Sequence, residues 1–236
     1  MFDGAIRESV LRVGAPGARW LSTGWDGGYA DADAAYNISV PEGWTRTDLT
    51  AYAAERRAEA GFDTTGPTLL TGVDATHARG ARDESVTAYA TAGVSNPAAL
   101  PMAADETERA AGREPETDEP RAGTVNVVVG TTRALDDAGL ATLLSVAVEA
   151  KTATLLAETG FPGTTTDAVI AGTDPTGEAA TFAGSSTAVG AAARACVRDA
   201  VRASLRSRYA DREIPNSVGD AEYGVVTART TEVFSV

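Results

Sequence analysis

The chain has 236 residues, 43% of them hydrophobic, which is sufficient for one large domain or two small ones. Its formal net charge of −13 argues against non-specific binding to nucleic acid or to an anionic membrane. It has neither a run of roughly 18 apolar residues, as a membrane span requires, nor a signal-peptide pattern at its N-terminus. Because its single cysteine, Cys196, cannot form an intramolecular disulfide, we expect a cytoplasmic protein.

Acidic residues outnumber basic ones by 33 to 20, and Lys151 is the only lysine. An acidic excess with little lysine is typical of salt-loving organisms, so we expect a halophilic, archaeal source. A GC-rich genome would also favour arginine over lysine.

The first part of the chain shows strand patterns over residues 9–14, 20–23 and 37–40, separated by turns that contain Gly and Pro. Thr47 is a candidate N-cap for a helix that extends to residue 60. Two further strands, over 68–73 and 86–93, are predicted to pair with each other around a polar loop over 74–84.

The central part predicts a buried strand over 125–129, because the residues are almost all β-branched, followed by a long helix over 136–159. At about 100° per residue, seven side chains share the inward face of this helix. They are Leu140, Leu143, Leu144, Ala147, Val148, Thr154 and Leu155. A last helix over 187–208 and a strand or hairpin over 223–234 complete the chain.

Three pairs of short segments recur in the same order: residues 37–40 with 126–129, 70–76 with 170–176, and 92–95 with 183–186. We interpret them as a duplicated β-α-β-β unit, although Gly-x-Asp turns also recur by chance. The units span about 19–100 and 123–207, and the acidic segment 102–122 between them is expected to be a mobile loop.

These patterns predict one α+β domain over residues 1–236, in which two β-α-β-β units form a mixed, largely antiparallel sheet or stacked sheets covered by helices. A doubly wound parallel fold is disfavoured because the strand pairs after each helix resemble antiparallel neighbours. No Gly-x-Gly-x-x-Gly motif follows a strand, so a Rossmann nucleotide site has no support.

Lys151 lies in the middle of the inward face of the long helix. A lysine in an apolar environment must find a carboxylate or lose its proton. The structural interpretation is that its stem packs on the core while its head reaches water or Glu158; the functional one is that it belongs to a site. Glu149 points to the opposite side of the helix.

Metal-binding motifs are absent, since the chain has no HExxH, no CxxC and a single histidine, His77. His77 is expected to be an ordinary loop residue, and Cys196 a small core residue of the last helix. A ridge of arginines on that helix is expected to pair with nearby acids: Arg194, Arg198, Arg202 and Arg206. A hydrolase built here would therefore use hydroxyls, carboxylates and Lys151.

Hydroxyl groups cluster at two turns. The first enters a strand after the long helix and comprises Thr164, Thr165, Thr166 and Asp167. The second leads into the last helix and comprises Gly184, Ser185 and Ser186. Backbone N–H groups at a helix start can bind an oxyanion, although Ser and Thr are also ordinary caps. With Lys151, the two turns form a candidate composite site.

Six stretches, in this order, resemble the adenosylcobinamide amidohydrolase (CbiZ) family: LSTGWDGG, AGVSNPA, TVNVVVGTT, VEAKTATL, TTTDAVIAG and AGSSTAVG. The resemblance covers residues 19–207. Its most specific pieces lie at 149–152 and 164–167.

The resemblance implies hydrolysis of the amide that joins the corrin side chain to aminopropanol in adenosylcobinamide, giving adenosylcobyric acid for coenzyme B12 salvage. The corrinoid would be the substrate, with no cofactor; a divalent ion and a homo-oligomer are left open. The alternative is a non-catalytic corrinoid-binding or carrier protein, and a third interpretation is a purely structural domain.

On the matching positions we assign catalytic roles to Lys151, as base or charge stabiliser, to Asp167, which orients it, to Thr166, and to Glu149. Substrate binding is assigned to Asn37, Asn96, Asn126, Thr164, Thr165, Gly184, Ser185 and Ser186. The asparagine amides suit the peripheral amides of a corrin, which needs a wide, apolar pocket. No metal ligand is assigned.

Overall fold

A computed structural model describes residues 1–102, 124–221 and 223–236. The predicted acidic loop therefore lies, except for Met102, outside the described residues. The elements in chain order are β1 (Asp3–Arg7), β2 (Val10–Ser22), β3 (Gly28–Ser39), α1 (Leu49–Glu59), β4 (Thr68–Thr71), β5 (Arg79–Asp83), β6 (Val86–Ala92), β7 (Ala98–Ala99), β8 (Val125–Thr131), α2 (Asp137–Thr159), β9 (Ala168–Thr173), α3 (Ala188–Arg208) and β10 (Val225–Val226).

Eight strands form one mixed sheet in the order β4-β3-β2-β9-β8-β6-β5, with β1 paired to β2. The pairs β3–β4 and β8–β9 are parallel, and the other pairs of this sheet are antiparallel. Helices α2 and α3 cover β6, β8 and β9, while α1 packs outside β3 and β4. The α+β class and the mixed, largely antiparallel sheet are thus confirmed.

The sheet curls, so that β3 and β4 face β6 and β8 across its concave side. Asn37 on β3 donates to Thr91 Oγ1 on β6 at 2.9 Å, although these strands are not neighbours in the sheet. Trp20 is fully buried on the concave side, and a Cβ at Gly172 would lie 2.6 Å from its ring. The glycine therefore allows the indole to approach the backbone of β9 closely.

Both halves of the chain contain a β-α-β unit with parallel strands, β3-α1-β4 and β8-α2-β9. The turns that follow also match, since Asp74 Oδ1 accepts from the N–H of Thr76 at 2.8 Å and Asp174 Oδ1 from that of Thr176 at 2.9 Å. The strand that would correspond to β6 is missing from the second unit, because residues 178–186 form bends and turns with one isolated bridge.

Other predicted strands differ from the structure. Strand β2 is one strand rather than two, because Ala15, Pro16 and Gly17 form a bulge in its pairing with β3, with φ of +67° at Gly17. Strands β4 and β6 do not pair, since β4 lies beside β3 and β6 lies between β5 and β8. Of the predicted C-terminal hairpin only β10 forms, and it pairs with β7.

The two long helices are confirmed. Asp136 accepts from the N–H of Gly139 at 2.7 Å at the start of α2, and Gly160, with φ of +78°, ends it. Val148, which was predicted to face inward, lies at the margin of the buried face and is 36% exposed. Helix α1 begins two residues after Thr47, so that threonine is not its cap.

Helix α2 is also long and apolar enough to cross a membrane, by length and composition alone. Core helices of water-soluble folds meet the same criterion. Here the helix packs against α3 and β9, and its buried positions belong to the main core cluster. Its hydrophobicity is explained by this packing.

Candidate active site

Three segments that are distant in sequence meet at one edge of the sheet, where β2 and β6 end and β8 and β9 begin. Thr23, after β2, accepts a hydrogen bond from the N–H of Val169 on β9 at 2.9 Å. Asn96, after β6, accepts through its backbone carbonyl from the N–H of Thr165, in the turn before β9, at 3.1 Å. The fold therefore gathers three of the motifs of the sequence resemblance at a single edge.

Lys151 extends from α2 to the carboxylate of Asp167 and donates to its Oδ2, with side chains only 7% and 11% exposed. Asp167 also accepts from Thr164, whose hydroxyl donates to Oδ1 and whose backbone N–H donates to Oδ2 at 3.2 Å. A buried ion pair requires such additional hydrogen bonds. Glu158, the other partner considered for Lys151, pairs with Arg202 at 2.6 Å.

Asn96 holds the same turn from the other side. Its Nδ2 donates to Thr165 Oγ1 at 2.6 Å and to Thr166 Oγ1 at 3.2 Å. Its Oδ1 accepts from the hydroxyl of Thr124. Asn96 and Thr124 are buried, whereas Thr165 is exposed and Thr166 is partly exposed. Asn96 thus links a buried hydroxyl to two hydroxyls that a ligand can reach.

Consecutive residues project to opposite sides as the turn enters β9. Asp167 points to Lys151 on α2, and Thr166 points to Asn96. The ion pair therefore anchors the turn on one side of the sheet edge while the threonine hydroxyls are presented on the other. The structure brings together Lys151, Asp167, Asn96, Thr164, Thr165 and Thr166 of the predicted residues.

Gly184, Ser185 and Ser186 lie elsewhere. They precede the N-terminus of α3, where Ser185 lines a groove of ≈ 530 Å³ between α2 and α3. The sheet edge is reached by the opposite end of α3, where Ser204 Oγ accepts from the N–H of Ala92 at 2.8 Å. Helix α3 extends over about 24 Å between Ala188 and Ser204, at about 1.5 Å per residue, and Ser185 lies before its start. The predicted composite of both turns is therefore not assembled.

Glu149 is also separate from the Lys151 ion pair. It is exposed on the opposite side of α2 and accepts from Arg194 Nη1 at 3.2 Å. The helical spacing predicted this placement. The expected pairing of the arginine ridge is confirmed for three members, since Arg194, Arg198 and Arg202 each contact a carboxylate.

Asn37 and Asn126, which were predicted to bind substrate, are buried in this structure. They are 3% and 1% exposed and bind one another, and Asn126 also donates to the carbonyl of Leu70 at 2.9 Å. The reason is the curl of the sheet, which encloses both side chains. They serve the core of the fold in this structure.

The remaining reactive side chains have structural surroundings. Burial raises the pKa of the Cys196 thiol to about 11, and the side chain belongs to the core, as predicted. His77 Nδ1 lies 3.1 Å from Ser207 Oγ, and burial, with Arg208 nearby, lowers its pKa. Over the described residues, no three His, Cys, Asp or Glu side chains converge as they would around a metal ion.

Thr124 is the site residue that sequence reasoning missed. It stands at the start of the TVNVVVGTT stretch, two positions before Asn126, and so projects to the same side of the chain entering β8. Its presence in a matched stretch was the available signal, but a lone threonine before a strand has no distinctive pattern. Only the contact with Asn96 identifies it.

The profile of the adenosylcobinamide amidohydrolase family matches residues 4–213 of the chain. The adenosylcobinamide amidohydrolase of Halobacterium salinarum is 53% identical over 236 residues, which cover 99% of each chain. The adenosylcobinamide amidohydrolase of Methanosarcina mazei is 30% identical over 199 residues, covering 80% of this chain and 90% of its own. No solved structure matches the chain.

These matches place the chain among the hydrolases. The chain belongs to the adenosylcobinamide amidohydrolase family, as the sequence resemblance indicated. Both relatives are archaeal, in agreement with the archaeal source expected from composition.

Proposed function

We propose that this protein cleaves the amide between the corrin side chain and aminopropanol in adenosylcobinamide, releasing adenosylcobyric acid and 1-amino-2-propanol. The oxygen of water is added to the carbonyl carbon, the C–N bond breaks, and the leaving nitrogen takes a proton. Family membership over residues 4–213 and a relative of that name at 53% identity support this activity. Neither favours the carrier alternative.

The proposed site rests on one observation. The turn before β9 is held on one side by the ion pair of Lys151 with Asp167 and on the other by the hydrogen bond from Asn96 to Thr165. Amide hydrolysis needs a positioned nucleophile and hydrogen-bond donors for the developing oxyanion. Thr165 and Thr166 bring two accessible hydroxyls to one place, and their support comes from buried side chains. Preorganisation of this kind is what such a reaction requires.

Lys151 acts in this proposal as the positive partner of Asp167, because its ammonium group donates to the carboxylate. The pair holds Thr164 and thereby the course of the turn. Thr166 holds the attacking water or itself attacks the carbonyl carbon. In the second case the Thr166 proton passes to the leaving amine, and water then hydrolyses the acyl ester and restores the hydroxyl. Glu149 is given no part in the chemistry, because it lies on the far side of α2.

The test is an assay of the purified protein with adenosylcobinamide in molar KCl, with products separated by chromatography and identified by mass spectrometry. We expect adenosylcobyric acid and 1-amino-2-propanol in equal amounts. Binding of unchanged corrinoid by folded protein, with no product, would instead support a carrier. A rise in melting temperature with corrinoid would establish binding in either case.

A further inference from the structure

We infer that Thr124 is a positioning residue for this reaction: through Asn96 it fixes the hydroxyl of Thr165 as a hydrogen-bond donor to the substrate's amide oxygen. This inference rests on the proposed function. Thr124 is buried immediately before β8, and its contact is with Asn96 rather than with the turn. It would therefore act without touching the substrate.

The orientation of the Asn96 amide is the first step. An amide can be turned by 180°, which exchanges its acceptor oxygen and its donor nitrogen, and threonine hydroxyls can both donate and accept. The contacts of Asn96 with three hydroxyls could therefore be satisfied either way around. The two orientations differ in energy because the hydroxyl proton of Thr124 has an acceptor in only one of them.

Thr124 is only 5% exposed, and among the described residues Asn96 Oδ1 is the acceptor its hydroxyl reaches. In the turned orientation Asn96 would donate to Thr124, and the Thr124 proton would be buried without an acceptor. A buried unsatisfied donor costs about 1–3 kcal/mol. Thr165 has no such restriction, because its side chain is exposed. Thr124 therefore selects the orientation in which Nδ2 faces the turn.

The consequence falls on Thr165. Its Oγ1 accepts from Asn96 Nδ2 at 2.6 Å, and its backbone N–H donates to the Asn96 carbonyl at 3.1 Å. Two hydrogen bonds thus fix both the backbone and the hydroxyl oxygen of Thr165. With one lone pair of Oγ1 directed at Asn96, the proton of this hydroxyl points away toward the exposed side. A donor there can bind the oxygen on which negative charge develops.

The test compares Thr124→Val, which keeps the shape but cannot donate, with Thr124→Ser, which keeps the hydroxyl. We expect the valine variant to lower kcat by at least about tenfold, against about 100-fold or more for loss of an oxyanion donor itself, with KM within about twofold of wild type. The serine variant should retain most of kcat. Thr165→Val should lower kcat as well, and the double valine variant should lose less than the product of the two single losses, because both act through Asn96, which also holds Thr166.

The outcomes are separable. If the wild type releases no product from adenosylcobinamide, the proposed function fails. If the wild type is active and Thr124→Val has the same kcat, this inference is overturned while the function stands. A purely structural role is indicated if the valine variant loses melting temperature with kcat unchanged, or if the losses of kcat in the double variant multiply; either result contradicts the inference.

Discussion

The side chain of Asn126 donates to Oδ1 of Asn37 at 2.9 Å across the concave side of the curled sheet. The two asparagines begin matching segments of the two β-α-β units, so the repeat makes contact with itself in the core. The hydroxyl of Thr91 on β6 joins this arrangement by accepting from Asn37 Nδ2 at 2.9 Å. The strands of the two units are thereby joined by side chains as well as through the sheet.

Replacing Asn126 with Leu should lower the free energy of unfolding by about 1–3 kcal/mol, because Asn37 Oδ1 and the Leu70 carbonyl lose their buried donor. The double variant Asn37→Leu/Asn126→Leu should lose less than the sum of the single variants, because neither amide is left without its partner. Urea unfolding monitored by circular dichroism measures both. Strict additivity would contradict the account.

The helices could be predicted because their signals are local. Asp136 and Gly160 mark the two ends of α2 by cap chemistry, and Thr187 marks the start of α3. The inward placement of Lys151 followed from helical spacing alone. The neighbours of β4 and β6 in the sheet were predicted wrongly, because the order of strands depends on contacts between distant segments.

Part of the candidate site could also be predicted, because it too depends on signals that are local in the sequence. Lys151 and Asp167 are 16 residues apart, on one helix and in the turn that follows it, so their meeting is nearly local. Ser185 was grouped with them by its nearness in sequence, but the direction of α3 carries it away from the sheet edge. Asn126 was taken for a ligand-binding amide because the sequence does not show the curl that encloses it.

The Lys151–Asp167 ion pair should be strongly coupled in stability. Lys151→Met leaves a buried carboxylate without its cation, so we expect a loss of about 3–5 kcal/mol in the free energy of unfolding. Lys151→Met/Asp167→Asn should be more stable than Lys151→Met, because no unpaired charge remains. Chemical denaturation of the four proteins in the cycle gives the coupling energy. A double variant less stable than Lys151→Met would contradict the predicted coupling of the two residues.

The turn before α3 should be dispensable for catalysis. Ser185→Ala and Ser186→Ala are expected to leave kcat within about twofold of wild type, because the serines lie far from the sheet edge. Thr187→Ala is the matched control, since Thr187 accepts from the N–H of Gly190 at 3.0 Å as the cap of α3. It should cost about 1 kcal/mol of stability without lowering kcat. A loss of kcat in Ser185→Ala would contradict this prediction and show that the turn before α3 takes part in catalysis.

Salt should stabilise the fold. A net charge of −13 creates repulsion within the compact chain, and added ions screen it. We expect the melting temperature to rise between low and molar KCl. The same melting temperature throughout that range would contradict the expected adaptation to salt.

The most direct test of the site compares two carboxylates of the sequence motifs, Asp167 and Glu149, as their amides. Asp167→Asn weakens the anchor of the hydroxyl-bearing turn, and misplacement of such groups costs about 100-fold in rate. Glu149→Gln loses only an exposed contact with Arg194. With adenosylcobinamide as substrate and both variants shown to be folded, we predict a fall in kcat of about 100-fold for Asp167→Asn and wild-type kcat for Glu149→Gln. The reverse pattern, or equal activity of the two, would contradict the assignment of the reaction to the turn held by Lys151.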